Sequence, residues 1–329
     1  MDFIAQFKPT SIAPIPTTTI SVNPPGGTHT HHPGGSHGHL PLPTQTFPHP
    51  EVHYHHATHT GNTALWVIWA LFTAGLAGVL LMTLRTEKRN RYFHGVSALV
   101  LTIAMVSYLA MAANIGITFV PLPAHGAKET LHIWFRQVFY ARYIDWLFTT
   151  PLLLLSLASL AGLSPASTLA VILIDVFMVV TGLLGSLTPA RYAAGERARW
   201  IFFGVSSFAF LVLWGILFTN GLKAANNRPR STKGLFTLLS AMTFLLWVAY
   251  PIVWGLSEGA NRISVNAEII AYGVLDVAAK IGFTYLLLFL HTHEETGPWT
   301  LPEWWVQSPV GHGPDGRGVY GSLGSRDRD

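Results

Sequence analysis

Two short strings hold the residues best suited to chemistry. LDVAAK (275–280) sets Asp276 and Lys280 four residues apart, and RYIDW (142–146) sets Arg142 and Asp145 three apart. Either spacing puts both side chains on one face of a helix. A lysine in apolar surroundings gives up its charge readily, which suits it to imine formation with an aldehyde. The imine forms from the neutral amine, and once protonated it needs a carboxylate counterion close by. Asp145 and Asp276 are the candidates, and two carboxylates hold such a proton more firmly than one. The plain alternative is a neutral quadrupole of two acids and two bases that only ties helices together. Isolated buried pairs rarely repay their desolvation, so retention of four charges favours a chemical role.

The elements that must position these groups are membrane-spanning helices. The chain has 329 residues, half of them apolar and only 11% charged. A water-soluble domain carries about 25% charged residues, too many more for this composition to cover a soluble surface. A mean hydropathy of +0.38 agrees. The net charge of +4 is spread over short loops, which excludes a nucleic-acid binder. Cysteine is absent, so no disulfide framework, thiolate metal site or cysteine nucleophile exists. Seven apolar stretches, about 63–84, 95–120, 134–161, 166–187, 200–221, 234–257 and 267–291, each approach the roughly 20 residues that a helix needs to cross a bilayer. Backbone groups in lipid must be satisfied within the segment, so these are expected to be helices. Ionisable groups inside them are costly and default to function. They are Arg136, Arg142 and Asp145 in the third stretch, Asp175 in the fourth, and Glu268, Asp276 and Lys280 in the seventh.

The ends differ in composition. Residues 1–60 are rich in His, Pro, Gly and Thr and hold ten of the sixteen histidines. They cannot bury enough apolar area to offset their ordering, so a disordered tail is expected. Zn²⁺ or Cu²⁺ capture by His53, His55 and His56 is the sharper alternative; the solvated tail, with no metal site, is preferred. No basic-then-apolar leader opens the chain, so no cleaved signal peptide is expected. Arg85, Lys88, Arg89 and Arg91 follow the first stretch, and Lys223, Arg228, Arg230 and Lys233 follow the fifth. The other side carries Lys128, Arg191, Arg197, Arg199 and Arg262. That bias places the N-terminal tail outside and the polar segment 292–329 in the cytoplasm; the plasma membrane is the expected location, and Trp299, Trp304 and Trp305 are expected at the membrane interface.

Three strings, RYIDWLFTTPLLLLSL (142–157), WVAYPIVW (247–254) and LDVAAK (275–280), resemble in order those of the microbial rhodopsins, the bacteriorhodopsin-like seven-helix proteins that include the fungal opsins. The resemblance covers about 63–291. It implies an all-α seven-helix membrane bundle with an internal pocket for all-trans retinal, covalently bound to Lys280. It further implies Asp145 as proton acceptor and primary counterion, Asp276 as second counterion and Arg142 as the gate. Trp146, Trp247, Tyr250, Pro251 and Trp254 would box the polyene. Tyr143, Thr150, Leu153, Met178, Gly182, Ser206 and Ala279 match further pocket positions. Asp175 matches a carboxyl that bonds a helix-3 threonine, here Thr150, and is implied to be protonated and structural. SEGANRISVNAE (257–268) resembles a proton-release segment with Glu258 and Glu268 as its acids, which would titrate as a unit. Phe202 and Phe203 stand where relatives show a tryptophan pair. Leu153 at the colour-tuning position implies green absorption.

Efficient pumps of that family carry Asp or Glu eleven residues after the acceptor, roughly 16 Å along the helix. Here that position is Ser156, and the triplet is Asp145, Thr149, Ser156. A serine hydroxyl delivers no proton near neutral pH and by default bonds back to the Leu152 carbonyl. Thr149 fits the family's polar threonine near the counterion. The triplet matches neither the chloride-pump pattern, which replaces the acceptor, nor the sodium-pump Asn-Asp-Gln. The leading expectation is therefore an outward light-driven proton pump with slow reprotonation, and not an enzyme. The alternative is a sensory photoreceptor whose slow cycle serves as the signalling state. A G-protein-coupled receptor lacks support, since no Asn-Pro-x-x-Tyr marks the last helix. Lipid, protons and a possible second copy of the chain are the expected partners.

Overall fold

A computed structural model describes residues 51–87, 91–123 and 132–292. Its frame is seven helices, each long and apolar enough to cross a membrane: α1 (His59–Arg85), α2 (Tyr92–Ala112), α3 (Tyr140–Ala161), α4 (Pro165–Leu187), α5 (Ala193–Ala225), α6 (Arg230–Gly259) and α7 (Val265–Leu290). A small sheet adds β1 (Glu51–His55), β2 (Thr118–Pro121) and β3 (His132–Val138) in the order β1-β3-β2. β1 runs parallel to β3, with Glu51 opposite His132, His53 opposite Trp134 and His55 opposite Arg136. β2 runs antiparallel to β3. The sheet lies at the end of the bundle where α3, α5 and α7 begin, called here the sheet end.

Local chemistry accounts for most boundaries. Ser164 accepts a hydrogen bond from the Ser167 amide, and Pro165 follows as the first residue of α4, where a missing N–H costs nothing. Ser264 caps α7 in the same way through the Ala267 amide. Gly162 closes α3 in the left-handed region, with φ of 72°. The buried faces of the helices meet in one apolar core that runs from Phe72 and Tyr108 through Leu153 and Leu157 to Trp214, Trp247 and Phe283.

Four expectations are corrected. Within the expected tail, residues 51–55 form β1, which gains a hydrogen-bonded partner in β3, and α1 starts at His59. Helix 2 stops at Ala112, not near residue 120: Asn114 and Gly116 take positive φ and turn the chain into β2. Helix 3 begins at Tyr140, not at 134, so Arg136 sits on a strand. Helix 5 starts earlier and takes in Arg197 and Arg199. Trp299, Trp304, Trp305 and the remaining N-terminal histidines lie outside the described residues, as do Lys88, Arg89 and Lys128.

Candidate functional site: a buried lysine among carboxylates

Lys280 lies in a stretch of α7, Val277–Gly282, that widens to a π-helical turn. Such turns insert one extra residue, re-aim the side chain and recur at functional positions. Nothing in the apolar pattern around 275–283 signals it. Lys280 Nζ donates to Asp145 Oδ2 on α3 and lies 3.1 Å from Asp276 Oδ1, one turn back on its own helix. All three side chains are at most 2% exposed.

The two carboxylates are not equivalent. Asp276 accepts from Tyr108 OH at 2.6 Å, Tyr250 OH at 2.8 Å and Trp146 Nε1 at 3.2 Å. Three donors thus hold its two oxygens. Asp145 Oδ1 is buried and has no hydrogen-bond partner. Asp145 therefore gives up less hydrogen bonding than Asp276 when it takes a proton. Thr149 Oγ1 bonds the Asp145 carbonyl at 2.8 Å and does not reach its carboxylate.

Beside Lys280 lies an apolar cavity of about 110 Å³. From α3 it is lined by Tyr143, Trp146, Thr150 and Leu153; from α4 and α5 by Met178, Gly182, Phe203 and Ser206; from α6 by Trp247, Tyr250, Pro251 and Trp254; and from α7 by Ala279 and Lys280. Every pocket position implied by the resemblance is in that lining except Asp175, which stands behind it. There Thr150 Oγ1 donates to Asp175 Oδ2 at 2.7 Å. Val179, Ser207, Phe210 and Tyr272 line the cavity without having been singled out. Phe203 stacks on Trp254 at 4.8 Å, which gives one of the two phenylalanines a wall position. Ser206 Oγ is held by the Met178 carbonyl at 2.8 Å. A long apolar slot with one buried amine, flanked by carboxylates, fits a polyene aldehyde joined to Lys280.

Toward the sheet end lies a second buried polar cluster. Arg142 Nη1 donates to Glu268 Oε1 at 2.8 Å and lies 4.0 Å from Glu258 Oε1. Arg136 on β3 bonds Glu268 Oε2 at 2.7 Å, the Ile263 carbonyl at 3.0 Å and Asn261 Oδ1 at 2.5 Å. Asn261 is held in the left-handed region at φ 50°, a conformation Asn tolerates better than most residues. Glu258 Oε2 accepts from Tyr143 OH and from Ser186 Oγ, the latter at 2.6 Å. Arg199, counted above as a loop charge, is buried and bonds the Glu258 and Thr188 carbonyls. Tyr108, Ser186 and Arg199 were missed because each is a lone polar residue in an apolar or loop-like string. A hydroxyl deep in a spanning helix was the available signal, since such groups need partners. On the other side of Lys280, Ser156 Oγ bonds the Leu152 carbonyl at 3.1 Å.

Comparison with known proteins agrees with this geometry. Residues 59–294 match the family model for bacteriorhodopsin-like proteins. Opsin-1 of Neurospora crassa is 37% identical over 270 residues, 81% of this chain and 88% of that one. The solved structure of LR (Mac) from Leptosphaeria maculans, described as a light-driven proton pump, is 35% identical over 74% of this chain and all of that one, with a TM-score of 0.70. The rhodopsin CsR of Coccomyxa subellipsoidea, also described as a light-driven proton pump, is 37% identical over 72% of this chain and 99% of that one, with a TM-score of 0.66. With its buried lysine, paired carboxylates and seven apolar helices, this chain belongs to the bacteriorhodopsin-like family of microbial rhodopsins, integral membrane proteins that bind retinal through a lysine and act as light-driven ion pumps or photoreceptors.

Proposed function

We propose that the protein is a light-driven outward proton pump, with all-trans retinal bound through Lys280 and a slow return step. The carrying observation is the buried contact of Lys280 with Asp145, followed toward the sheet end by a second buried cluster of Arg142, Glu258 and Glu268. Retinal, when bound, supplies light absorption and a light-driven change of shape beside Lys280 Nζ. The chain's own groups do the rest. Asp145 Oδ2, already in contact with Nζ, takes the proton. Asp276, with its three tyrosine and tryptophan donors, is held in place beside Nζ. Neutralising Asp145 weakens its pull on Arg142, which is then free to favour Glu258 and Glu268 and so drive a proton toward the sheet end. Trp146, Trp247, Tyr250, Pro251 and Trp254 confine the polyene and exclude water from Nζ.

On the return side no buried carboxylate stands ready among the described residues. All five buried carboxylates among the described residues are Asp145, Asp175, Glu258, Glu268 and Asp276, and none lies at the level of Ser156. Reprotonation of Nζ must draw on water from the opposite end. The lysines and arginines at that end, against a sheet end where Arg199 and Arg136 are buried in ion pairs or carbonyl bonds, support a cytoplasmic placement of the 85–92 and 225–230 loops. The plasma membrane is the proposed location.

The test is illumination of sealed vesicles or cells carrying the protein and added all-trans retinal, with external pH recorded. Outward pumping gives acidification outside that an uncoupler abolishes. A coloured protein that cycles with no pH change defeats the pump. That outcome would favour the second reading, a slow-cycling photosensor, whose supporting observation is the Ser156 hydroxyl tied to its own helix rather than to a proton path.

A further inference from the structure

We propose that Glu51, His53 and His132 form a surface site for a divalent transition-metal ion, Zn²⁺ or Cu²⁺, bridging β1 and β3 at the sheet end. Strand alternation puts Glu51 and His53 on one face of β1, and the parallel register sets His132 directly beside Glu51. Their ligand atoms converge. His53 Nε2 lies 3.1 Å from His132 Nδ1, Glu51 Oε2 lies 3.5 Å from His132 Nδ1, and Glu51 Oε2 lies 3.7 Å from His53 Nε2. Zinc bonds of about 2.0–2.1 Å at tetrahedral angles hold neighbouring ligand atoms roughly 3.3–3.4 Å apart. The three observed separations bracket that value, so one ion reaches all three with small side-chain adjustments.

Two imidazoles and one carboxylate are the donor set of a borderline ion, not of Mg²⁺ or Ca²⁺, which take oxygen ligands. The His53 ring is fixed by stacking on Trp134 at 4.2 Å and 20°. The side chains of His53, His132 and Glu51 are 34, 42 and 71% exposed, which leaves a solvent-facing position for a fourth ligand such as water. The neighbouring histidines are otherwise engaged: His55 Nδ1 meets the Asn261 amide at 3.2–3.3 Å, and His56 Nδ1 meets the Tyr54 carbonyl at 3.2 Å. The metal-binding set therefore differs from the run His53, His55, His56 that the sequence suggests, because its third ligand comes from residue 132. Such an ion cross-links β1 to the strand that carries Arg136.

The experiment is isothermal titration of ZnCl₂ into the purified full chain in lipid nanodiscs, in chelator-free buffer. It needs neither retinal nor light, so its outcome is separate from that of the pump. The N-terminal histidines 29–49 are common to all variants compared, and weak binding there cancels. His132→Ala is expected to remove one ion per chain, Glu51→Ala to weaken that ion at least tenfold, and His56→Ala to leave it unchanged. Glu51 is exposed, so its replacement does not threaten folding. Unchanged stoichiometry and affinity in both His132→Ala and Glu51→Ala overturn the site. So does a loss in His56→Ala as large as in His132→Ala, which would assign the zinc to the histidine-rich tail.

Discussion

The two halves of the bundle on either side of Lys280 are built from different materials. Toward the sheet end, Arg136, Arg142, Arg199, Glu258 and Glu268 are all buried and tied into one polar system that links α3, α5, α6, α7 and β3. Toward the opposite end the buried polar groups on α3 and α6 are hydroxyls, Ser156, Ser159, Ser240 and Thr243, set among Leu154, Leu157 and Leu239. Charges buried in lipid must be paired, and pairing fixes their positions. The first half thus gathers paired charges, whereas on α3 and α6 the second offers only hydroxyls, its other buried polar groups including His94 on α2 and Asp175 on α4. The direction of transport in the proposed cycle comes from that asymmetry, since both halves share the same lysine.

The strongest way to break the contrast is at its boundary. Asp145→Asn removes the one carboxylate that both touches Lys280 and has an oxygen without a donor. Loss of a positioned acid–base group costs about 10²- to 10⁴-fold, so light-driven pH change in vesicles should fall below detection. Loss of negative charge beside the amine should also move absorption to longer wavelength. The matched Asp276→Asn should move the colour while leaving Asp145 to accept. Equal pumping by Asp145→Asn and the parent chain would sink the assignment of acceptor.

Next in size is Arg136→Gln. It leaves Glu268 with Arg142 alone and strips donors from Asn261 and the Ile263 carbonyl. Removing one member of a buried ion pair costs about 3 kcal/mol or more. The thermal midpoint should drop accordingly, measured by loss of colour or of helical signal. Arg262→Ala, at an exposed neighbouring position, should change stability by no more than about 0.5 kcal/mol.

That pair of arginines also marks what a sequence discloses. The seven helices were legible because lipid forces long, nearly uncharged runs, and Lys280, Asp145 and Asp276 stood out as charges inside them. The sheet was not legible. HIWFRQV (132–138) runs almost directly into the apolar helix that follows it, and only the pairing with β1 and β2 makes it a strand. Arg136 was therefore assigned to the wrong element. Arg199 was read as a loop charge because its partners are backbone carbonyls, which no side-chain pattern announces. The donors on Asp276 came from α2, α3 and α6, and Tyr108 in particular is a single hydroxyl in an apolar string. Contacts that join distant segments through one atom leave little periodic trace.

Making the two halves more alike should speed the cycle. Ser156→Asp places an acid where the present hydroxyl bonds Leu152. The return step should accelerate about a hundredfold, the lower end of what a positioned acid contributes. Without that acid the step takes its proton from bulk water, so its rate should fall about tenfold for each unit rise in pH on the opposite side. With the acid that slope should flatten, because the donor is already loaded. Flash spectroscopy of the deprotonated species reads both. A return rate in the parent chain that is independent of pH would point to an internal donor other than residue 156.

The smallest expected change separates structure from transport within the second half. Thr150→Val deletes the hydroxyl that donates to Asp175 Oδ2, and Asp175 Oδ1 already lacks a partner. Leaving a buried polar group unsatisfied costs about 1–3 kcal/mol, and here one bond of that kind is lost. Stability should fall by about 1 kcal/mol. The return rate should move less than twofold, since Asp175 is held by α3 rather than poised toward Lys280. Asp175→Asn should leave the return rate equally unmoved while losing less stability, because an amide oxygen still accepts from Thr150. A slowed return in either variant that low pH restores would instead make Asp175 the hidden donor and erase the difference between the two halves.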